Sequence, residues 1–263
     1  MESQIACVEK DGMMNSRKII LHSMYHWQIH ATLRCDRVCQ WCDRLIGVVP
    51  WKNSDVLLDD ICRAGKEVKS RGLKISWLRV SGGEPTLHPQ LLELCKLLEE
   101  WKSISTKTII CTNKTIEEFP NVPEYRIRRS SVKRDPLKDG HNPNLISPYD
   151  MGLKTTIGIG HIPEYYYRCG LMRRCGQVFD AFGFTFCHRA GGIGRLIGID
   201  PYSTVPLTKG IEDICRHCIY SIRRSDRLQL WKDVKDGKLK HPTETYRKGL
   251  ERGPIELTRY QDR

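Results

Sequence analysis

The sequence predicts an α/β chain: a truncated, open partial β/α barrel followed by a cysteine-rich C-terminal module. Three observations predict it. Strand-like apolar runs alternate with helical segments from about residue 25 to residue 130, the pattern of parallel β/α units rather than of a sandwich. Roughly 130 residues separate the first such run from the C-terminal cysteines, room for four or five β/α units where a closed barrel takes eight. Beyond Tyr165 the alternation gives way to five cysteines within about fifty residues and few clear helices.

The elements follow in order. Residues 1–22 read as a lead-in. Residues 25–33 (YHWQIHATL) are apolar and aromatic enough for a strand, which runs straight into a group of cysteines. Ser54 is placed to cap a helix through about Arg71, with Leu57, Ile61, Ala64 and Val68 on one face and Gly72 ending it. Residues 74–80 (KISWLRV) form the next strand, followed by the turn SGGEP. Pro89 opens a second helix whose apolar stripe is Leu91, Leu94, Leu98 and Trp101. Residues 107–111 and 124–129 are strands, and 154–160 (KTTIGIG) reads as one more. The chain divides into a lead-in (1–22), a β/α core (23–160), and a cysteine-rich module with a polar, partly helical tail (161–263).

Composition limits the function. The 40% apolar content fits a globular chain, and no apolar run approaches the roughly 20 residues that span a bilayer. The N-terminal segment lacks the apolar core of a secretory signal, so the 12 cysteines are expected in a reducing cytoplasm, where metal binding is the leading account. The formal charge of +12 attracts an anionic partner without naming one.

Cys35, Cys39 and Cys42 place three thiols within eight residues, directly after a strand. Three thiolates on one loop can hold three irons of a [4Fe–4S] cluster and leave the fourth iron open to a ligand. A structural zinc site is the alternative, but such sites are closed by four ligands. His30, before the loop, reads as strand packing. Forty residues on, Gly82, Gly83, Glu84 and Pro85 end the second strand; the glycines allow close backbone approach, and exposed backbone with Glu84 can bind an amino group.

A CxxxCxxC loop after the first strand combined with GGEP after the second resembles the radical S-adenosylmethionine (radical SAM) superfamily, as does the aromatic Trp41 just before the third cysteine. The resemblance implies a partial barrel of the radical SAM type. It implies that Cys35, Cys39 and Cys42 hold a [4Fe–4S] cluster whose open iron chelates S-adenosylmethionine. It implies that Gly82, Gly83 and Glu84, with Pro85 beside them, form the turn at the amino group, and that Trp41 lies beside the adenine. Asn113, after the third strand, and Ser130, after the fourth, match polar positions around the cofactor. Gly158, Gly160 and Glu164 lie in a stretch loosely similar to the adenine motif. The reaction implied is reductive cleavage of S-adenosylmethionine to methionine and a 5′-deoxyadenosyl radical that abstracts hydrogen from a substrate, with the electron from a donor such as flavodoxin or ferredoxin.

Cys169, Cys175, Cys187, Cys215 and Cys218 resemble, with Gly183, the SPASM or Twitch auxiliary-cluster modules of that superfamily. Four would close a second [4Fe–4S] cluster, leaving one thiol spare; zinc is the alternative occupant. A spare thiol beside the site could donate a hydrogen atom to a substrate radical. Cys7, Cys62, Cys95 and Cys111 read as packing residues, with Cys62 and Cys95 near helical apolar faces.

Two basic groups, one of Arg126, Arg128, Arg129, Lys133 and Arg134, the other of Arg168, Arg173 and Arg174, could hold phosphate or carboxylate. The expected substrate is a small anionic metabolite (a nucleotide, nucleoside or sugar derivative) undergoing epimerisation, dehydrogenation or dehydration, or carbon–sulfur chemistry. A peptide-modifying enzyme is the alternative. A non-enzymatic zinc or iron–sulfur nucleic-acid-binding module is a further one; it leaves GGEP without a role, and the basic residues are dispersed. No membrane partner is expected.

Overall fold

A computed structural model describes residues 26–75, 77–102, 108–114, 126–129, 142–153, 169, 176–206 and 209–263. Strands β1 (His26–Thr32), β2 (Trp77–Gly82), β3 (Ile109–Thr112), β4 (Arg126–Arg129), β5 (Gln177–Asp180) and β6 (Gly183–Thr185) form one sheet in the order β4-β3-β2-β1-β5-β6. β1 to β5 pair in parallel, and β6 folds back antiparallel on β5. Among the described residues the sheet is open, with β4 and β6 at its edges. It crosses residue 160: β5 pairs directly with β1, so two of its strands come from the cysteine-rich half of the sequence.

Helices α1 (Leu58–Ser70) and α2 (Leu91–Glu99) supply the crossovers β1–β2 and β2–β3. Strand periodicity of two then sorts the faces. Ile29, Val80, Ile110 and Phe179 lie in register across four strands and pack with Ile61, Ala64, Val68, Leu94 and Leu98 of the two helices. Burying each such side chain is worth about 1.5–3 kcal/mol. Gly65 lets α1 approach the Trp101 ring, where a Cβ would lie 2.5 Å from its Nε1.

The opposite face is polar. Gln28 and His30 of β1, Ser81 of β2 and Asp180 of β5 lie on it, all buried. The second half of the chain adds α3 (Ala190–Ile197), α4 (Ile211–His217), α5 (Arg224–Lys235) and α6 (Glu244–Arg252). A separate apolar cluster joins α3, α4 and Tyr246 of α6 to Leu45 and Val49, just after the first cysteine loop.

Two sequence expectations are corrected. Helix α1 begins at Leu58 with Leu57 at its N-cap and no side-chain cap. The Ser54 hydroxyl instead accepts the Leu33 N–H at 3.1 Å, fixing the chain as it leaves β1. Cys62 is exposed on α1 and packs in no core, whereas Cys95 is fully buried against the sheet. The strand expected over 154–160 lies outside the described residues.

Candidate active site between two cysteine sites

The cysteine loop leaves the C-terminal end of β1, beside the GGEP turn at the end of β2. The two are joined by backbone: Gly83 N–H donates to Thr32 C=O and Glu84 N–H to Arg34 C=O, both at 2.8 Å. The glycines are demanded by this approach. A Cβ on Gly82, at φ +132°, would lie 2.0 Å from the Thr32 carbonyl oxygen, and one on Gly83 1.9 Å from that of Arg34. What the glycine turn approaches is thus the chain entering the cysteine loop.

Glu84 is fully buried, and its carboxylate is committed inside the protein. Oε1 accepts from the Thr86 N–H (3.2 Å), the Thr86 hydroxyl (2.8 Å) and the Thr112 hydroxyl (2.5 Å), and Oε2 from the Asn113 N–H (2.8 Å). Glu84 is therefore a strut between the ends of β2 and β3. Pro85 begins a single 3-10 turn, Pro85–Leu87, with Glu84 as its cap. Asn113 is buried beside the strut, and Lys114 Nζ reaches Asp36 of the cysteine loop at 2.6 Å.

Cys39 and Cys42 are buried and Cys35 is half-buried. Burial raises the Cys35 thiol above its usual pKa, and Asp36, Cys42 and Cys39 add to that against a backbone hydrogen bond. Trp41 sits edge-on to Trp231 of α5, centroids 4.9 Å apart at 84°. Ser130, Cys175, Gly158, Gly160, Glu164, Lys133, Arg134, Arg168, Arg173 and Arg174 lie outside the described residues.

Cys169, Cys187, Cys215 and Cys218 come together although 49 residues separate the first from the last. They line one pocket together with Phe186, Ala190, Ile193 and Arg189. Burial pushes the Cys215 thiol well up, and the neighbouring Cys218, Cys187 and Cys169 push it further. Such a set becomes thiolate only by exchanging protons for a bound cation. Among the described residues, no group of three or more His, Cys, Asp or Glu side chains closes on a point as a single metal ion requires. The donor set of four thiols and the apolar walls fit a [4Fe–4S] cluster.

Between the two cysteine sites runs a largely buried polar network that the sequence, in which His30 reads as strand packing, does not assemble. Arg44 donates to His30 Nε2 (3.1 Å), to Gln28 (3.3 Å) and to Ser81 (3.2 Å). Burial, with Arg44 and His188 nearby, holds His30 well below its usual pKa, so it is neutral, and its 3.7 Å approach to Asp180 is no ion pair. Burial raises Asp180 to about 7, against hydrogen bonds from the Phe182 N–H and the Tyr202 hydroxyl. Partial burial would raise Asp43 too; His188, 3.9 Å away, and Arg189 outweigh it and hold the carboxyl well below its usual pKa. Arg189 Nη1 donates to Asp43 (3.2 Å) and to Asn144 (3.1 Å), and the amides of Asn142 and Asn144 donate to the Cys42 carbonyl (3.2 and 3.4 Å). Asp43 follows Cys42 and Arg189 follows Cys187 by two, which is the one sequence signal these residues carry.

No protein-family model matches the chain, and no curated protein matches it. Among solved structures it is similar to BtrN in complex with AdoMet and 2-DOIA, at TM-score 0.45 and 13% identity, over 82% of this chain and 89% of that one. No helix among the described residues is long and apolar enough to cross a membrane.

Proposed function

We propose that the chain is a radical SAM enzyme with one auxiliary [4Fe–4S] cluster, acting on a small anionic metabolite. The observation that carries this reading is the backbone pairing of Gly83 and Glu84 with Thr32 and Arg34, which holds the CxxxCxxC loop and the glycine turn together at the ends of adjacent parallel strands. Three thiols would hold a cluster with one iron open, and the turn would present backbone beside it. When bound, cluster and S-adenosylmethionine supply one-electron cleavage to a 5′-deoxyadenosyl radical.

The chain's own residues bind, orient and exclude water. Cys35, Cys39 and Cys42 ligate, with Lys114 and Asp36 clasping the loop across the site. Gly82 and Gly83 let two chains meet, and Glu84 fixes the ends of β2 and β3. Cys169, Cys187, Cys215 and Cys218 hold the second cluster, and Cys175 is the fifth, spare thiol. The anionic substrate is supported by the formal charge of +12 and by Arg44, a half-buried cation beside Gln28, His30 and Ser81 on the polar face of the sheet. The reaction is an epimerisation, a dehydrogenation or dehydration, or carbon–sulfur chemistry, and the electron comes from a flavodoxin- or ferredoxin-like donor.

Anaerobic iron and sulfide analysis with a 5′-deoxyadenosine assay tests the proposal. About eight irons per chain are expected from two [4Fe–4S] clusters. Replacing Cys35, Cys39 and Cys42 by Ala should remove about half of them and abolish 5′-deoxyadenosine formation. Reductive cleavage that survives the triple replacement, or tightly bound zinc in place of iron, would overturn it.

A further inference from the structure

Arg189 is almost fully buried, 1% exposed, and lines the four-cysteine pocket. Its Nη1 is held by Asp43 and Asn144, and its guanidinium carbon lies 4.5 Å over the Tyr220 ring. Its Nε and Nη2 are buried and have no hydrogen-bond partner among the described residues. Two unmet donors on a buried cation are costly, and a protein keeps them where an anionic acceptor completes the site. The four thiols of that pocket, once they hold a cluster, present thiolate and sulfide sulfur, acceptors of that kind.

We infer that Arg189 is a positioning residue for the group in the second cysteine site, donating from Nε and Nη2 to its sulfur and, through Asp43 and Asn144, tying that group to the Cys42 loop. The inference rests on the iron–sulfur reading of the second site. Its physical consequence is on the reduction potential. Reduction adds negative charge to the group, so a fixed cation and two donors against its sulfur favour the reduced form. Arg227 is the internal control: it stacks on the same Tyr220 ring, at 4.4 Å, but does not line the pocket.

The test is an anaerobic, dye-mediated redox titration of the holoprotein followed by electron paramagnetic resonance. The signal that persists after Cys35, Cys39 and Cys42 are replaced by Ala belongs to the second site. Arg189→Met should move its midpoint to more negative potential by about a tenfold change in the reduction equilibrium, about 59 mV for one electron. Arg189→Lys, which keeps the charge and loses the fork, should fall between, and Arg227→Met should leave the midpoint in place. An unmoved midpoint in Arg189→Met with about eight irons retained overturns the inference. If Arg189→Met does not retain its iron, Arg189→Lys decides: a midpoint more negative than that of the wild type supports the inference, whereas an unmoved one, or loss of iron from both variants, assigns Arg189 to packing alone. A wild-type protein holding only about four irons would instead fail the reading of the second site, a distinguishable result.

Discussion

The two cysteine sites solve one problem, holding several thiols together, in opposite ways. The first takes Cys35, Cys39 and Cys42 from one eight-residue loop and fixes that loop by backbone hydrogen bonds to the neighbouring strand end. The second takes Cys169, Cys187, Cys215 and Cys218 from separate segments, and the surrounding apolar cluster brings them together. A site built on one loop can leave a coordination position open, because its shape does not depend on closure around the ligand. A site built from distant segments is closed by the same packing that forms it. Ligand occupancy should therefore affect folding differently: the first cluster should be removable with little loss of stability, the second not.

The largest expected effect breaks this comparison most directly. Cys215→Ala combined with Cys218→Ala should remove about four irons and lower the thermal midpoint of the second half of the chain. The replacements strip two walls of a pocket shared by α3 and α4, and large-to-small changes in such cores cost about 2–5 kcal/mol for aliphatic side chains and less for cysteine. Loss of the Cys35, Cys39 and Cys42 thiols should remove as much iron with a much smaller shift. Equal shifts, read by scanning calorimetry, would end the distinction.

The middle effect concerns the strut. Both Glu84 oxygens accept hydrogen bonds from protein donors, so Glu84→Gln turns one acceptor into a donor facing a donor, at a cost of about 1–3 kcal/mol. Thermal unfolding should show that loss, with S-adenosylmethionine affinity falling only as far as the loop loosens. A variant of unchanged stability with affinity lost outright would mean the carboxylate meets the ligand after all.

The same contrast explains what could be read from the sequence. The first site was legible because its determinants are local: three cysteines at short spacing and two glycines at a strand end, each tied to a parallel strand by apolar alternation. The five candidate cysteines of the second site were also visible, but not which of them converge, because that depends on packing between α3, α4 and the chain around Cys169. Asn142 and Asn144 were not legible at all, and Arg189 and Asp43 only as sequence neighbours of Cys187 and Cys42. Their bonds span between 45 and 146 residues, and no spacing rule connects an arginine after Cys187 to an aspartate after Cys42. Ser54 was misread for a related reason: its hydroxyl had a distant backbone partner, Leu33, that outcompeted the local helix start. The polar tail gave no periodic signal of a core, yet it is bound down. Tyr260 N–H donates to Ala181 C=O at 2.9 Å, and Arg259 donates to the carbonyls of Asn53 and Asp55, both at 2.8 Å.

That tail supplies the smallest and most specific test, because α5 brings the aromatic ring of Trp231 onto the first cysteine loop. Trp41 is 38% exposed and meets Trp231 edge-on, while Trp231 Nε1–H donates at 3.2 Å to the carbonyl of Pro143, the residue between Asn142 and Asn144, whose amides hold the Cys42 carbonyl. An edge-to-face pair is worth about 0.5–1.5 kcal/mol beyond its buried area. A double-mutant cycle of Trp41→Ala and Trp231→Ala, read by denaturant unfolding, should give a coupling energy in that range. If Trp41 acts on the ligand only through this contact, Trp231→Ala should weaken S-adenosylmethionine binding about as much as Trp41→Ala does. A much larger loss in Trp41→Ala alone would put its ring against the adenine, and the first site would then depend on the second half of the chain for covering but not for recognition.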